Sequence, residues 1–396
     1  MDSATSLATR EAPIRELTLA MSTALCYGIA LGIFPALLSL NLENNGFDTS
    51  WSGLLGAVPA LAGIAILPFS PWIVARIGAR PAYFAGAVLS ISTSALFPVL
   101  PGLVAWFVLR FLMGVGLALQ FMVGESWVNN LADGPRRGRI IGIYVIVLSV
   151  GLFVGPAIMA IVGTMGHAPF LVTAGLLLLA CLPILLAHNM LPPTAEDSRI
   201  MGMVNAFLRK PSAMITGLFD GFIFQTMLVL LPIYAIGLGA SEEQAIRFMM
   251  IYMLGGIPLQ LVIGYVLDRI GAEAVLTLCC ALIALGLPAF AWFIAEPVAS
   301  WPILIVVGAA SGAVYTAGVA AISGSFSAGE MPSGTAVFNI AWLVGGVAGP
   351  SAAGYAATLW DPHGFAGSIV ASCVVLGLVN ALARHRRNTK LTRLNP

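Results

Sequence analysis

Pro71-Trp72-Ile73-Val74-Ala75-Arg76-Ile77-Gly78 and Gly264-Tyr265-Val266-Leu267-Asp268-Arg269-Ile270-Gly271 end on the same triplet, 193 residues apart. Each triplet sits in a short break between two long apolar runs. Counted outward from these breaks, the runs fall near 17–41, 51–74, 81–99, 103–130, 139–163 and 169–187, then near 212–236, 244–267, 273–294, 301–322, 334–358 and 365–383. Each is near or above the roughly 20 residues that a helix needs to cross a bilayer. The fourth is a turn or two longer than that. The polar stretch 188–211, with Pro192, Pro193, Glu196, Asp197 and Ser198, divides the twelve runs six and six.

Composition gives the same answer. Charged residues are 9% of the 396, against about 25% in an ordinary soluble domain. Hydrophobic residues are 59% and the mean hydropathy is +0.97. A soluble globule could not cover its surface with so few polar groups, so a soluble enzyme and a disordered chain are excluded. A net charge of +1 leaves no basic footprint for nucleic acid. Backbone groups in a bilayer must be bonded internally, which leaves helices or closed barrels, and the long apolar runs are unlike alternating barrel strands. The expected fold is an all-α integral membrane protein of twelve helices in two six-helix halves. The expected divisions are an N-terminal bundle at 1–187, a linker at 188–211 and a C-terminal bundle with a basic tail at 212–396.

The first apolar run is too long for a signal-peptide core and is expected to remain as a membrane helix. The cysteines Cys26, Cys181, Cys279, Cys280 and Cys373 lie in apolar runs and read as small hydrophobes. The histidines His167, His188, His363 and His385 fall at predicted helix ends or loops, so no metal site and no cofactor is expected. With the N-terminus inside, sixteen of the eighteen Lys and Arg fall in inside segments and none in outside loops. The positive-inside rule then puts both termini in the cytoplasm.

The two halves echo each other beyond the triplet. Gly151, Gly155 and Pro156 recur as Gly345, Gly349 and Pro350 at an offset of 194, and His167 recurs as His363 at 196. Six-span halves repeated in one orientation are the parallel-repeat arrangement of one large transporter class.

On these residues the chain resembles the major facilitator superfamily over nearly its whole length. Gly264-x-x-x-Asp268-Arg269-x-Gly271 is similar to the family's loop signature between spans eight and nine. Arg110-x-x-x-Gly114-x-Gly116-x-Ala118 is similar to its span-four signature, with Met113 where many members have Gln. Gly151-x-x-x-Gly155-Pro156 is similar to the span-five signature of the drug:proton antiporter branches. The first-half loop departs from the pattern. Pro71 replaces Gly and Ala75 replaces Asp, so Arg76, Gly78 and Arg80 are what remains. Glu125-Ser126-Trp127-Val128-Asn129 resembles a poorly characterised bacterial branch, which implies the inner membrane of a bacterium. The resemblance implies transport of a small molecule by alternating access, with spans one, four, seven and ten lining the cavity.

An ionisable side chain at membrane depth costs roughly 2.5–3.5 kcal/mol on insertion scales, so each invites a functional reading. Arg110 reads as a fixed cation in the cavity or as a structural Arg. Glu125 lies fifteen residues further along the same helix, about 22 Å of rise, so the two cannot pair. It reads as a protonatable carboxylate on the path or as a gate or capping residue. Asp220 has no positive partner in its flanks. It reads as the group that loads and releases a coupling proton, or as a neutral carboxyl in a helix–helix hydrogen bond. Tyr27, Gln120, Gln225, Tyr315, Thr316 and Asn339 are candidate cavity polar groups, and each also reads as a packing hydrogen bond. Arg247, behind Glu242 and Glu243, reads as an interfacial arginine. Arg76, Gly78 and Arg80, with Asp268, Arg269 and Gly271, are candidate gate loops. The glycine–proline motifs read as close-packing surfaces or as bending points.

No ATP-binding loop is present, so protons are the expected drive. Export of a small organic or amphipathic compound by a monomer is the leading expectation. Import of an organic anion through Arg110 is its rival, and a membrane sensor or scaffold without transport is the rival from another class. The charge asymmetry makes a direct prediction. In a background without native cysteines, Cys introduced at 45 or 363 labels with impermeant reagent from outside, and Cys at 198 or 393 does not. Labelling at 198 overturns the orientation.

Overall fold

A computed structural model of the chain describes residues 2–100, 102–132, 137–187, 211–257, 259–323 and 331–394. The linker expected at 188–211 lies, but for Pro211, outside the described residues. Among the described residues every regular element is helical. In chain order they are α1 (Asp2–Asn44), α2 (Thr49–Ile66), a 3₁₀ turn (Leu67–Phe69), α3 (Ser70–Ile77), α4 (Ala79–Leu96), α5 (Leu103–Leu131), α6 (Arg137–Val162), α7 (Ala168–Leu179) and α8 (Cys181–Leu186). They continue with α9 (Pro211–Gly237), α10 (Glu242–Gly256), α11 (Leu259–Ile270), α12 (Ala272–Trp292), α13 (Pro297–Ser323), α14 (Met331–Leu359) and α15 (His363–Leu394).

Among the described residues ten helices are long and apolar enough to cross a membrane. The remaining two expected spans are occupied by α4 and by α10 followed by α11. Three runs that are continuous in hydropathy are broken as helices, for local reasons. Pro68 and Pro71 lack the N–H that would continue α2, so the chain tightens into the 3₁₀ turn before α3. Pro183 cannot bond the carbonyl one turn earlier, and the sixth run splits at Ala180. The eighth run breaks after Gly256, where the Ile257 N–H bonds the Leu254 carbonyl in a 3₁₀ turn at 3.2 Å. The last helix runs on through the basic tail to Leu394, so His385 lies inside a helix and not at an end or in a loop.

The chain divides into two compact units. One comprises Met1–Leu37 with Val58–Ala195, the other Leu38–Ala57 with Glu196–Pro396. The division cuts α1 and α2, and the ends of these helices nearest the turn at 45–48 group with the second unit. Contacts inside that unit account for this. The Cβ of a side chain at Gly354 would lie 2.9 Å from the Thr49 carbonyl oxygen and 3.1 Å from the Gly53 Cα, while one at Gly53 would strike the Pro350 carbonyl.

In lipid, apolar burial supplies little net drive for helix association, so packing depends on close approach at small residues. In the first unit α1 and α6 touch backbone to backbone. A Cβ at Gly28 would lie 2.7 Å from the Leu148 carbonyl oxygen. One at Gly151 would lie 2.7 Å from that of Leu25, and one at Gly155 2.7 Å from that of Ile29. The second unit repeats this between α9 and α14, where Gly221 meets the Trp342 carbonyl, Gly345 that of Leu218 and Gly349 that of Phe222. Gly28 and Gly221 are 193 apart, and Leu148 and Trp342 are 194 apart, so the sequence repeat is a repeat of contacts. Gly28, Gly32 and Gly221 were not among the singled-out glycines, although Gly28-x-x-x-Gly32 and Gly217-x-x-x-Gly221 carry the same small-residue spacing.

Between these contacts the interiors are filled by large side chains: Phe34, Tyr83, Phe97, Trp127 and Phe170 in the first unit, Phe290, Phe338 and Phe365 in the second. The outward helix faces carry Ile161, Val298 and Trp292, each more than 80% exposed, as a lipid-facing surface requires.

Replacing Gly345 by Ala forces a methyl into the Leu218 carbonyl, and overpacking of this kind costs about 1–3 kcal/mol. The same change at Gly377, where an added Cβ would meet nothing within 4 Å, costs little. Thermal unfolding in detergent separates the two: Gly345→Ala lowers the Tm and Gly377→Ala does not.

Candidate functional site

The repeated loops share one geometry. Gly78 and Gly271 have φ of +88° and +81° with ψ of 160° and 157°, a conformation that favours glycine. Their N–H groups bond the carbonyls of Val74 and Leu267 at 2.8 and 2.9 Å, ending the helix before each turn. The guanidinium of Arg76 lies 5.0 Å over the Trp72 ring and that of Arg269 4.6 Å over the Tyr265 ring. Each arginine is thus stacked on an aromatic one turn back, a pairing that the repeat predicts once the rings are noticed. Arg80 has a buried Nη2 without a hydrogen-bond partner. The side chain of Asp268 lies outside the described residues.

In the second unit Asp220 is buried within α9. Its Oδ2 accepts a hydrogen bond from the Trp342 indole N–H at 2.8 Å, reaching α14 one turn before the Gly345 contact. No described cationic side chain pairs with it. Tyr252 of α10 lies within electrostatic reach of Asp220, and Ser311 of α13 lies beside Tyr252. The hydroxyls of both are buried without a well-formed hydrogen bond. Tight packing brings these helices together: a side chain at Gly308 would strike the Tyr252 carbonyl. Thr226, Tyr234 and Ser300 of the same unit also bury hydroxyls without a hydrogen-bond partner, so Asp220 is a buried carboxyl among several under-satisfied hydroxyls. Of the residues singled out with Asp220, Gln225 is only half-buried, Tyr315 packs edge-on to Phe338 at 5.6 Å, Thr316 bonds its own helix, and Asn339 is exposed. They are not gathered around Asp220. Trp342, Tyr252 and Ser311 were missed, because nothing in an aromatic or a serine inside an apolar run marks it as a carboxylate's neighbour.

In the first unit Tyr27 and Gln120 do meet. They line a cleft with Tyr83, Phe121 and Tyr144. Tyr27 donates its hydroxyl to the Leu117 carbonyl at 3.0 Å, and the Gln120 amide donates to Ser90 Oγ at 2.7 Å. Glu125 lies one turn beyond Phe121 and within electrostatic reach of Tyr144. Arg110 is elsewhere on the same helix. It is 4% exposed, its guanidinium lies 5.5 Å over the Phe34 ring, and Nη1 approaches Met113 Sδ at 3.9 Å. Its Nε has no partner, and among the described residues no carboxylate pairs with it. Arg247 pairs with Glu243 on the exposed face of α10.

The repeated helix contacts, the twinned loops and the apolar outer faces describe a duplicated helical membrane protein, and the family comparison agrees. The model of the Major Facilitator Superfamily matches residues 19–308 and 248–396. The chain belongs to the major facilitator superfamily. It is 25% identical over 339 residues to the uncharacterized MFS-type transporter YfkF of Bacillus subtilis (strain 168), covering 83% of this chain and 85% of that protein. It is 24% identical over 342 residues to the uncharacterized MFS-type transporter YcaD of Escherichia coli O45:K1, covering 85% and 87%. Among solved structures it is similar to the nucleoside transporter NupG, with a TM-score of 0.75 at 14% identity over 94% of this chain and 98% of that one. It is also similar to a bacterial homologue of the human lysosomal transporter Spinster, with a TM-score of 0.74 at 13% identity over 93% and 96%. These structural likenesses establish the superfamily fold. An integral membrane secondary transporter of a small molecule follows from family and fold together.

The Asp220–Trp342 bond is testable by itself. Trp342→Phe leaves a buried carboxyl without its donor, which costs about 1–3 kcal/mol in thermal unfolding. A double-mutant cycle with Asp220→Asn reports a nonzero coupling. Strict additivity would mean that the bond contributes nothing.

Proposed function

We propose that the protein exports a small organic, amphipathic compound in exchange for protons, and that Asp220 carries the coupling proton. The observation that supports this most is the setting of Asp220. A carboxyl inside a transmembrane bundle, held by one neutral donor and by no cation among the described residues, exchanges a proton without breaking an ion pair. The match at Gly151, Gly155 and Pro156 to the antiporter signature supports the outward direction. The placement of Arg110 over Phe34, deep in one unit, favours export over uptake of an anion.

In this reading the halves at 1–187 and 212–396 rock about a site near the bilayer midplane, joined by the linker at 188–211. Gln225, Tyr315 and Asn339 contribute polar groups to the cavity. The loops at Arg76–Arg80 and Asp268–Gly271 close the cytoplasmic side, and Pro156 and Pro350 let α6 and α14 bend. The chain works as a monomer in the bacterial inner membrane with both termini in the cytoplasm.

Proteoliposomes test the coupling. Asp220→Asn keeps shape and hydrogen-bonding capacity but cannot release a proton. Transport driven by a pH gradient fails in that variant, while exchange of substrate without a gradient persists. Gradient-driven flux equal to the unsubstituted protein removes Asp220 as the coupling group and makes Glu125 the next carboxylate to substitute.

A further inference from the structure

Two hydrogen-bond donors one turn apart on α5 have no acceptor for their protons. Arg110 is buried, with its guanidinium 5.5 Å over the Phe34 ring. Its Nη1 meets only the Met113 sulfur, a weak acceptor, at 3.9 Å, and its Nε is buried without a partner. No oxygen acceptor and no carboxylate reaches the group among the described residues. Four residues earlier, the Trp106 indole N–H is also buried without a partner. Positions i and i+4 of a helix are neighbours on one face. Both side chains also join one aromatic cluster. Trp106 packs edge-on to Phe97 at 5.8 Å, and Phe97 meets Phe34 at 5.6 Å and stacks on Phe170 at 5.8 Å.

Arginine and tryptophan side chains can only donate hydrogen bonds. A ring face offsets part of the cost of burying a guanidinium, but it takes up none of the N–H protons, which lie in the guanidinium plane. What the pair lacks is an acceptor. Because the arginine is always charged and no described carboxylate balances it, the fitting acceptor is an anion. A water molecule accepts both bonds but leaves the charge unbalanced. Size narrows the choice. Phe34, Phe97, Phe170 and Met113 are almost wholly buried and the rings touch one another, so the ligand is an ion of one or a few atoms. Hydration narrows it further. Stripping water from a large, soft anion costs less than from a small, hard one, so chloride and bromide suit an apolar surround and fluoride does not. Trp106 stands in the first turns of α5 and is only half-buried, which marks the end at Leu103 as the way in.

We propose that Trp106 and Arg110 together hold a weakly hydrated inorganic anion of halide type, as a resident counter-ion of the first unit. The anion belongs to the folded structure and is not the cargo, so the inference goes beyond the exporter reading and does not depend on it.

Thermal unfolding of the purified full chain in detergent reads the site. Sodium gluconate, whose anion is too large to enter, is replaced stepwise by sodium bromide, chloride or fluoride at constant ionic strength. A ligand of the folded state raises the Tm with its concentration. Bromide and chloride raise the Tm along a saturating curve, and fluoride does not. Trp106→Phe keeps a ring in place and removes one donor, so it weakens the apparent affinity roughly tenfold, the scale of one charge-assisted hydrogen bond. Arg110→Gln abolishes the halide-dependent rise, and Trp106→Phe carries the test alone if that variant does not fold. In crystals grown with bromide, anomalous density lies within hydrogen-bond distance of both Trp106 Nε1 and the Arg110 guanidinium. The proposal is overturned if halides act no better than gluconate, if fluoride or benzoate acts as well as bromide, if Trp106→Phe responds as the unsubstituted chain does, or if the bromide density lies elsewhere. No gradient and no flux enter this measurement. Its failure is therefore distinct from a failure of proton coupling, which only the proteoliposome flux reports.

Discussion

Helix pairs in this protein meet where one backbone presses directly on another, and the rest of the structure depends on that approach. Lipid tails are as apolar as leucine, so little is gained by burying one apolar side chain against another. What remains is dispersion between closely apposed surfaces, which falls off steeply with distance. Glycine removes the one atom that would hold the helices apart. Gly28 and Gly151 do this between α1 and α6, and Gly221, Gly345 and Gly349 between α9 and α14. Between these axes the bulky side chains of Trp127 and Phe338 are almost wholly buried.

The same contacts place the polar groups. Trp342 supplies both the carbonyl on which Gly221 rests and the indole N–H that reaches Asp220, so backbone packing and the buried hydrogen bond share a residue. The first unit has a leucine at the equivalent position, Leu148, and no carboxyl at the equivalent of Asp220. Its polar groups gather instead around Gln120. Two copies of one packing scheme thus carry different chemistry: a carboxyl on one neutral donor in the second, a tyrosine-lined cleft in the first.

Much of this was legible in the sequence. Length and hydropathy placed twelve spans, because desolvation of the backbone leaves few alternatives in lipid. The breaks at Ala180 and Ile257 were not legible, since hydropathy does not register a missing hydrogen-bond donor or a local turn. Asp220 stood out because a charge in an apolar run is rare. Trp342 did not, because an aromatic in such a run is ordinary and its partner lies 122 residues away. Gln120 and Tyr27 were visible as isolated polar residues, but their meeting with Tyr83 and Tyr144 depends on four helices at once. Arg110 was noticed for its charge, yet an arginine's long stem lets it spend that charge on a ring, and the sequence does not say which ring.

The loops at Gly78 and Gly271 separate the shape of a turn from its charge. Both have the same positive φ and an arginine stacked on a ring, although one has Ala75 where the other has Asp268. The shape of the turn therefore does not require that charge. Fixed by a glycine and by an arginine on a ring, the connection is mechanically independent of the acidic position beside it, so the charge of that short segment is set separately from its shape.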